Sequence, residues 1–362
     1  MLASVGEDGV LLVDTGYTGT AAAVREAVAR LSSQPVRVIV NTHGDGDHVG
    51  ANAAFEPTPV IVAHPGTREQ MSTFFALPDP EREGRPTLTL EGEARIHFNG
   101  DTLRLLPVPG AHTAGDLVVH FTGAGLACLG DLVFTGGVPN ADPARGGDAR
   151  RLLEVLRRLE RDLPEDTTLL PAHGGPMTLA DLRDYIAMVE GTVSGVQEGV
   201  TAGDTLEEVV RRPALTRWAE WQPDRDAFER WVGEIYAALT GTLRRSICAP
   251  MTEALVQEDV AAAITTYRRL KTEEPEGWRF GESELNALGY QLLQRRRVGD
   301  ALAIFELNVE AYPEAFNTWD SLGEAQLAAG RKEEAIASYR RSLELNPDNT
   351  NAVAVLAGLE AE

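Results

Sequence analysis

Asn41-Thr42-His43-Gly44-Asp45-Gly46-Asp47-His48-Val49-Gly50-Ala51-Asn52 follows directly on the apolar run Val36 to Val40. It places four metal-capable side chains, His43, Asp45, Asp47 and His48, within six residues. The glycines between them carry no Cβ, so the backbone can fold tightly and side chains of one loop can converge on a single point. The stretch also admits a plainer reading. An acidic turn entering a helix would use Asp47 as a capping residue and leave the histidines exposed.

Three later segments weigh against the plain reading. They are Pro109-Gly110-Ala111-His112-Thr113-Ala114-Gly115-Asp116, Leu129-Gly130-Asp131 and Leu170-Pro171-Ala172-His173-Gly174. Each sets a metal-capable residue directly after an apolar run, where the edge of a sheet delivers side chains to a shared site.

The pattern around these segments is α/β. Val10 to Val13 is an apolar, strand-like run, a helix is expected from Thr20 to Leu31, and Val36 to Val40 reads as the next strand. Further strands are expected at Val60 to Ala63, Ala94 to Phe98, Thr102 to Pro107, Leu117 to Phe121 and Leu126 to Leu129, many joined by glycine-containing turns. Such runs suit two packed sheets flanked by helices. From about Thr178 to Arg245 helical spacing takes over, in Leu179 to Val189, Thr205 to Arg211 and Asp226 to Leu239. Trp218, Trp221 and Trp231 fall in this part. They read as core packing of a helical extension, or alternatively as a wall over the active site.

The last part repeats itself at 34 positions: Leu288-Gly289 with Leu322-Gly323, Ala301 with Ala335, Phe305 with Tyr339, and Pro313 with Pro347. The period resembles the tetratricopeptide repeat, in which small and large residues interlock two antiparallel helices per unit. Trp319 completes the pattern in the second copy and Leu285 takes its place in the first. Ala263 to Tyr267 looks like the second helix of a degenerate earlier unit, displaced by four residues from the strict period. Two and a half repeats are expected, an array short enough to lean on the helical extension or on another subunit.

In order and content, the four metal-capable segments resemble the metallo-β-lactamase superfamily over about Val10 to Met177. The first loop is similar to its HxHxDH motif, and the later three to its single His, bridging Asp and final His. The resemblance implies a four-layer αββα sandwich, followed here by an all-α extension and tetratricopeptide-like helical repeats. The expected divisions are 1–177, 178–248 and 249–362.

It further implies one metal on His43, Asp45 and His112, a second on Asp47, His48 and His173, and Asp131 as the bridge. Asp14 resembles the family's acidic strand end, which supports the metal loop from behind. Asp45 departs from the pattern, which usually has His there. A carboxylate adds negative charge and a harder oxygen donor, so zinc is the leading expectation, with manganese or iron open.

Two divalent ions would acidify a shared water and hold the hydroxide against an electrophilic centre. Asp47 would orient it and pass its proton to the leaving group. The expected enzyme is a metal-dependent hydrolase of a carbonyl-centred bond in a small molecule, of β-lactam, lactone or thioester class. Two alternatives stand beside it: a phosphodiesterase or nuclease at the same site, and a weak metal domain serving repeat-mediated protein binding.

Composition narrows the partners. The formal charge is -22 and no run of Lys or Arg is long enough to follow phosphates, which disfavours nucleic acid. With 43% hydrophobic residues in 362, the chain can bury a large core without disulfides, and Cys128 and Cys248 suggest no disulfide framework. No apolar stretch reaches the roughly 20 residues that span a bilayer, so no membrane partner is expected. A cytoplasmic location is expected for the sequence as it stands, periplasmic or secreted if an export signal precedes it. The repeats imply a protein partner or self-association. His64, His97 and His120 are expected to be structural, and the Gly/Pro-rich loop from Thr135 to Asp148 is the candidate for substrate contact.

Overall fold

The computed structural model describes residues 1–74, 84–221, 225–242 and 245–360. The chain divides into two compact units, the first running to Leu243 and the second beginning at Arg244.

In the first unit a hairpin of β1 (Leu2–Gly6) and β2 (Gly9–Val13) leads to α1 (Ala21–Leu31), β3 (Val36–Val40) and the one-turn helix α2 (Gly46–Val49). Next come β4 (Val60–Ala63), α3 (Pro65–Phe74) and β5 (Leu88–Thr89). These strands form a sheet in the order β1-β2-β3-β4-β5, parallel from β2 onward. The second sheet is built from β6 (Ala94–Phe98), β7 (Asp101–Pro107), β8 (Leu117–Phe121) and β9 (Leu126–Phe134), then, after α4 (Ala149–Asp162), β10 (Thr168–His173). Its order is β10-β9-β8-β7-β6, antiparallel except where β10 runs parallel to β9.

Side-chain alternation explains the layering. Along β2, Leu11 and Val13 join Val40, Val62, Leu103, Leu117 and Val119 in the core between the sheets. Val10 and Leu12 face the other way, onto Val24 and Val28 of α1. A strand buried on both faces reads as an unbroken apolar run, which is how β2 stands in the sequence. Outside the second sheet, Leu152, Val155, Leu156 and Leu159 of α4 present one helical stripe to Val118, Ala127 and Leu129. The result is the four-layer α/β sandwich anticipated from the sequence.

In this unit β1, β5 and β10 were not among the expected strands, and β9 is longer than expected. β1 lies ahead of the first expected strand and went unread because its residues are mostly only half-buried and its apolar signal is weak. β9 runs five residues past Leu129, so Asp131 sits inside a strand rather than after it. Gly130, at φ +56°, breaks the apolar run, but Leu132 and Val133 behind it are buried again. The register between β9 and β10 shifts at Pro171, opposite Gly130, and such irregularities re-aim side chains.

The helices α5 (Leu179–Ala202), α6 (Leu206–Val210), α7 (Pro213–Thr216) and α8 (Arg225–Thr240) share the outer core of the second sheet. A capping box of Thr178 and Asp181 starts α5. Trp231 is 1% exposed and donates its indole N–H to Thr192 at 3.1 Å, a core role. Trp221 meets Tyr185 edge to face at 6.1 Å.

In the second unit β11 (Arg245–Ser246), α9 (Cys248–Gln257) and α10 (Val260–Glu273) precede β12 (Trp278–Arg279), which pairs with β11. The helices α11 (Glu282–Gln294), α12 (Val298–Ala311), α13 (Phe316–Ala328), α14 (Lys332–Leu345) and α15 (Thr350–Glu360) follow. The repeat pattern has a steric origin. A Cβ on Gly289 would stand 2.5 Å from the Phe305 ring, and one on Gly323 2.9 Å from that of Tyr339, so each glycine lets an aromatic of the next helix close in. The segment that holds β12, between α10 and α11, accounts for the four-residue displacement of the earlier unit.

Candidate metal centre

The site lies at the ends of β3, β8, β9 and β10. Asp14, just past β2, has φ +59° and receives the Thr42 N–H on Oδ1 at 2.8 Å. Its Oδ2 accepts the Thr42 hydroxyl and the His48 Nδ1–H, each at 2.8 Å. A carboxylate on Nδ1 selects the tautomer, so the neutral ring of His48 would turn its Nε2 lone pair into the site. His112 is set in the same way by another device: its Nδ1 donates to the Asn140 carbonyl at 2.6 Å. Its loop is clamped by Asp116, whose carboxylate accepts the backbone N–H of Ala111, His112 and Thr113 at 3.1, 2.7 and 2.9 Å.

All seven sequence-predicted ligands come together. His43 Nε2 and His112 Nε2 lie 3.6 and 3.5 Å from Asp45 Oδ2. His48 Nε2 and His173 Nε2 lie 3.5 and 3.2 Å from Asp47 Oδ2. Asp131 stands between them, with Oδ1 3.2 Å from His48 and Oδ2 3.9, 3.9 and 3.4 Å from His43, His112 and His173. Three groups have ligand atoms within 4.8 Å of one another: His43, Asp45 and His112; His43, His48 and Asp131; Asp47, His48 and His173. Asp14, the eighth predicted residue, touches the loop from behind.

The donor set fits metal ions. His43 Nε2, His112 Nε2 and Asp131 Oδ1 are buried with no hydrogen-bond partner, a costly state for polar atoms that converge on one point. The charges agree. Burial opposes ionisation of Asp45, but the nearby His112 and His43 rings and the Arg145 charge hold its carboxyl well below the usual range. Asp131 is likewise held low against burial by His173 and His48. Burial disfavours a charged His48, yet the Asp14 charge and Asp131 push its pKa up to about 12. The four carboxylates thus demand cations, which protons or metals can supply.

His173 is the open side of the site, its side chain 46% exposed and its ring stacked on Phe134 at 5.2 Å. The other histidines have structural surroundings. His64 Nδ1 accepts the Gly66 N–H at 3.0 Å, His97 is exposed and meets Thr102 at 3.1 Å, and His120 is buried within β8. Sequence reasoning gave no role to Asp116, four residues from His112, or to Arg145. The Arg145 guanidinium reaches Asp45 Oδ2 at 2.5 Å from a position 100 residues away. Arg145 and Asn140 both belong to the loop expected to contact substrate, and that loop reaches Asp45 and His112.

The metallo-beta-lactamase superfamily model matches residues 2–173, and the tetratricopeptide repeat model matches residues 316–349. A hydroxyacylglutathione hydrolase from Gloeobacter violaceus is 35% identical over 160 residues, which cover 44% of this chain and 57% of that protein. The 2,4-dinitroanisole O-demethylase subunit alpha from Nocardioides sp. is 31% identical over 146 residues, covering 39% and 43%. The chain therefore spans about half the length of these relatives. Among solved structures, a stereoselective inverting sec-alkylsulfatase from Pseudomonas sp. superposes with a TM-score of 0.52 at 14% identity, covering 91% of this chain and 62% of that one. That likeness is one of fold. With the sandwich, the order of the four segments and their convergence in view, residues 2–173 form a metallo-β-lactamase-type domain and residues 316–349 match a tetratricopeptide repeat.

Proposed function

We propose that this chain is a metal-dependent hydrolase of carbonyl-centred bonds, with thioesters as the foremost substrate class. The convergence of His43, Asp45, Asp47, His48, His112, Asp131 and His173, with three buried donor atoms left without a hydrogen-bond partner, carries this reading. His43, Asp45 and His112 would hold one divalent ion and Asp47, His48 and His173 the other, with Asp131 shared; zinc suits this mixed nitrogen and oxygen set, and manganese or iron are the alternatives. When bound, the ions supply an acidified water and polarise the scissile carbonyl.

The chain's own residues do the rest. Asp14 and Thr42 orient His48, and Asp116 and Asn140 orient His112, so the donor atoms are arranged before any substrate arrives. Asp47, partly open to solvent beside His173, is placed to take a proton from the attacking water and return it to the leaving group. The relatives named hydroxyacylglutathione hydrolase favour the thioester among the carbonyl classes. The repeats would serve a protein partner or a second copy of the chain.

Metal analysis together with a panel of thioester, lactone, lactam and phosphodiester substrates tests the reading. Thioester hydrolysis that disappears with a chelator, and that falls on the order of 100-fold or more in kcat/KM in His112→Ala, is expected. Faster turnover of the phosphodiester than of any carbonyl substrate would overturn it.

A further inference from the structure

Asp45 is caught between two claims. Its Oδ2 faces His43 Nε2 and His112 Nε2, the other donors of the first metal position, and the same oxygen receives the Arg145 guanidinium at 2.5 Å. Its Oδ1 accepts Gln70 Nε2 at 2.8 Å. Arg145 is anchored from its own loop, with Nη2 3.4 Å from Asn140 Oδ1 and Nε 3.8 Å from Asp142 Oδ2. The equivalent carboxylate of the second position, Asp47, has only His48 and His173 as ion-pair partners among the described residues.

A guanidinium remains charged at every working pH. Hydrogen-bonded to a ligating oxygen, it draws off donor strength and sets a fixed positive charge beside the incoming cation. Asp45 supplies a negative charge that a histidine would not, and Arg145 cancels it from the other side.

We propose that Arg145 sets the two metal positions apart: by holding Asp45 Oδ2 it makes the position of His43, Asp45 and His112 the weaker, exchangeable one, and that of Asp47, His48 and His173 the resident one. This rests on the ligand assignment above and adds an order of affinity that the assignment alone does not contain.

The experiment is zinc titration of the metal-free full-length chain against a chelating indicator, with circular dichroism as the check on folding. The wild type should bind zinc in two unequal steps. In Arg145→Gln the weaker step should tighten by about tenfold, the scale on which outer partners alter metal affinity, while the tighter step stays in place. Arg145→Lys, which keeps a charge, should retain unequal steps. With Asp45→His as background, removing Arg145 should no longer move the weaker step, which closes a double-mutant cycle. A weaker step that is unchanged or loosened in folded Arg145→Gln overturns the proposal, since Arg145 would then only position Asp45. A wild type that binds no zinc would instead overturn the metal site itself, so the two failures are distinct.

Discussion

Asp14 holds a left-handed backbone conformation that a residue with a Cβ enters at a cost, and three hydrogen bonds to Thr42 and His48 hold it there. Those bonds suit it to orient His48 rather than to serve as a ligand. Asp14→Ala should therefore keep the fold but weaken zinc binding by about 10- to 100-fold, read by titration with a competing chelator. Unchanged affinity would mean that the loop holds His48 without help. At this scale the convergence of the seven candidate ligands was legible because each falls in a short motif beside an apolar run. Arg145 was not, because nothing in the spacing of two residues 100 positions apart says that they meet. Asp116 is the intermediate case. Its separation from His112 is that of an ordinary turn, and only the three N–H bonds to its carboxylate show that it clamps the loop.

Among the elements, α8 reaches the loop that holds Arg145. Glu234 accepts the Ala141 N–H at 3.1 Å, and burial, opposed by that bond, raises its pKa to about 7, with Asp142 adding to the rise and Arg145 and Arg230 opposing it. The folded state thus binds a proton that the unfolded chain has already lost above roughly pH 4.3. Stability from this group is present at lower pH and is lost as pH climbs from about 4.3 through about 7. Glu234→Gln keeps an acceptor for Ala141 and removes the titration. Melting temperatures measured across that window should fall less steeply in the variant, and parallel curves would discount the effect.

The helical repeats offer a second test at the same scale. Gly289→Ala would set a methyl 2.5 Å from the fully buried Phe305 ring, and overpacking of that kind costs about 1–3 kcal/mol, more than the gain in helix propensity. Chemical denaturation should show the loss. A neutral or stabilising result would mean that the ring can retreat. The element pattern itself was readable wherever one face is apolar at the right period, as in α1, β4, β6 and β8. It failed at β1, whose residues are half-buried, and at β9, where the candidate ligand Asp131 lies within the strand.

For the molecule as a whole, metal binding and folding are linked. The candidate donor atoms, from the loop after β3, the β7–β8 loop, β9 and β10, meet only in the folded state, so ions that bind there stabilise it in proportion to RT ln(1 + [L]/Kd). Stripping the metal should lower the melting temperature of the full chain, and restoring zinc should return it. Differential scanning fluorimetry decides this, and a melting temperature indifferent to zinc would argue against tight binding at the site. Among the described residues no helix is long and apolar enough to cross a membrane.

The sequence alone determined which residues are candidates for the chemistry and which layers they sit between, because motif order, apolar alternation and a 34-residue period can be read along the chain. Only the tertiary structure decided how the charges around those residues are balanced. Asp45 read as an extra negative charge at the first metal position. In the folded chain it is shared with Arg145 and Gln70, which come from a later loop and from α3. Electrostatic balance depends on separations of a few ångströms through space, and separation along the chain does not encode them.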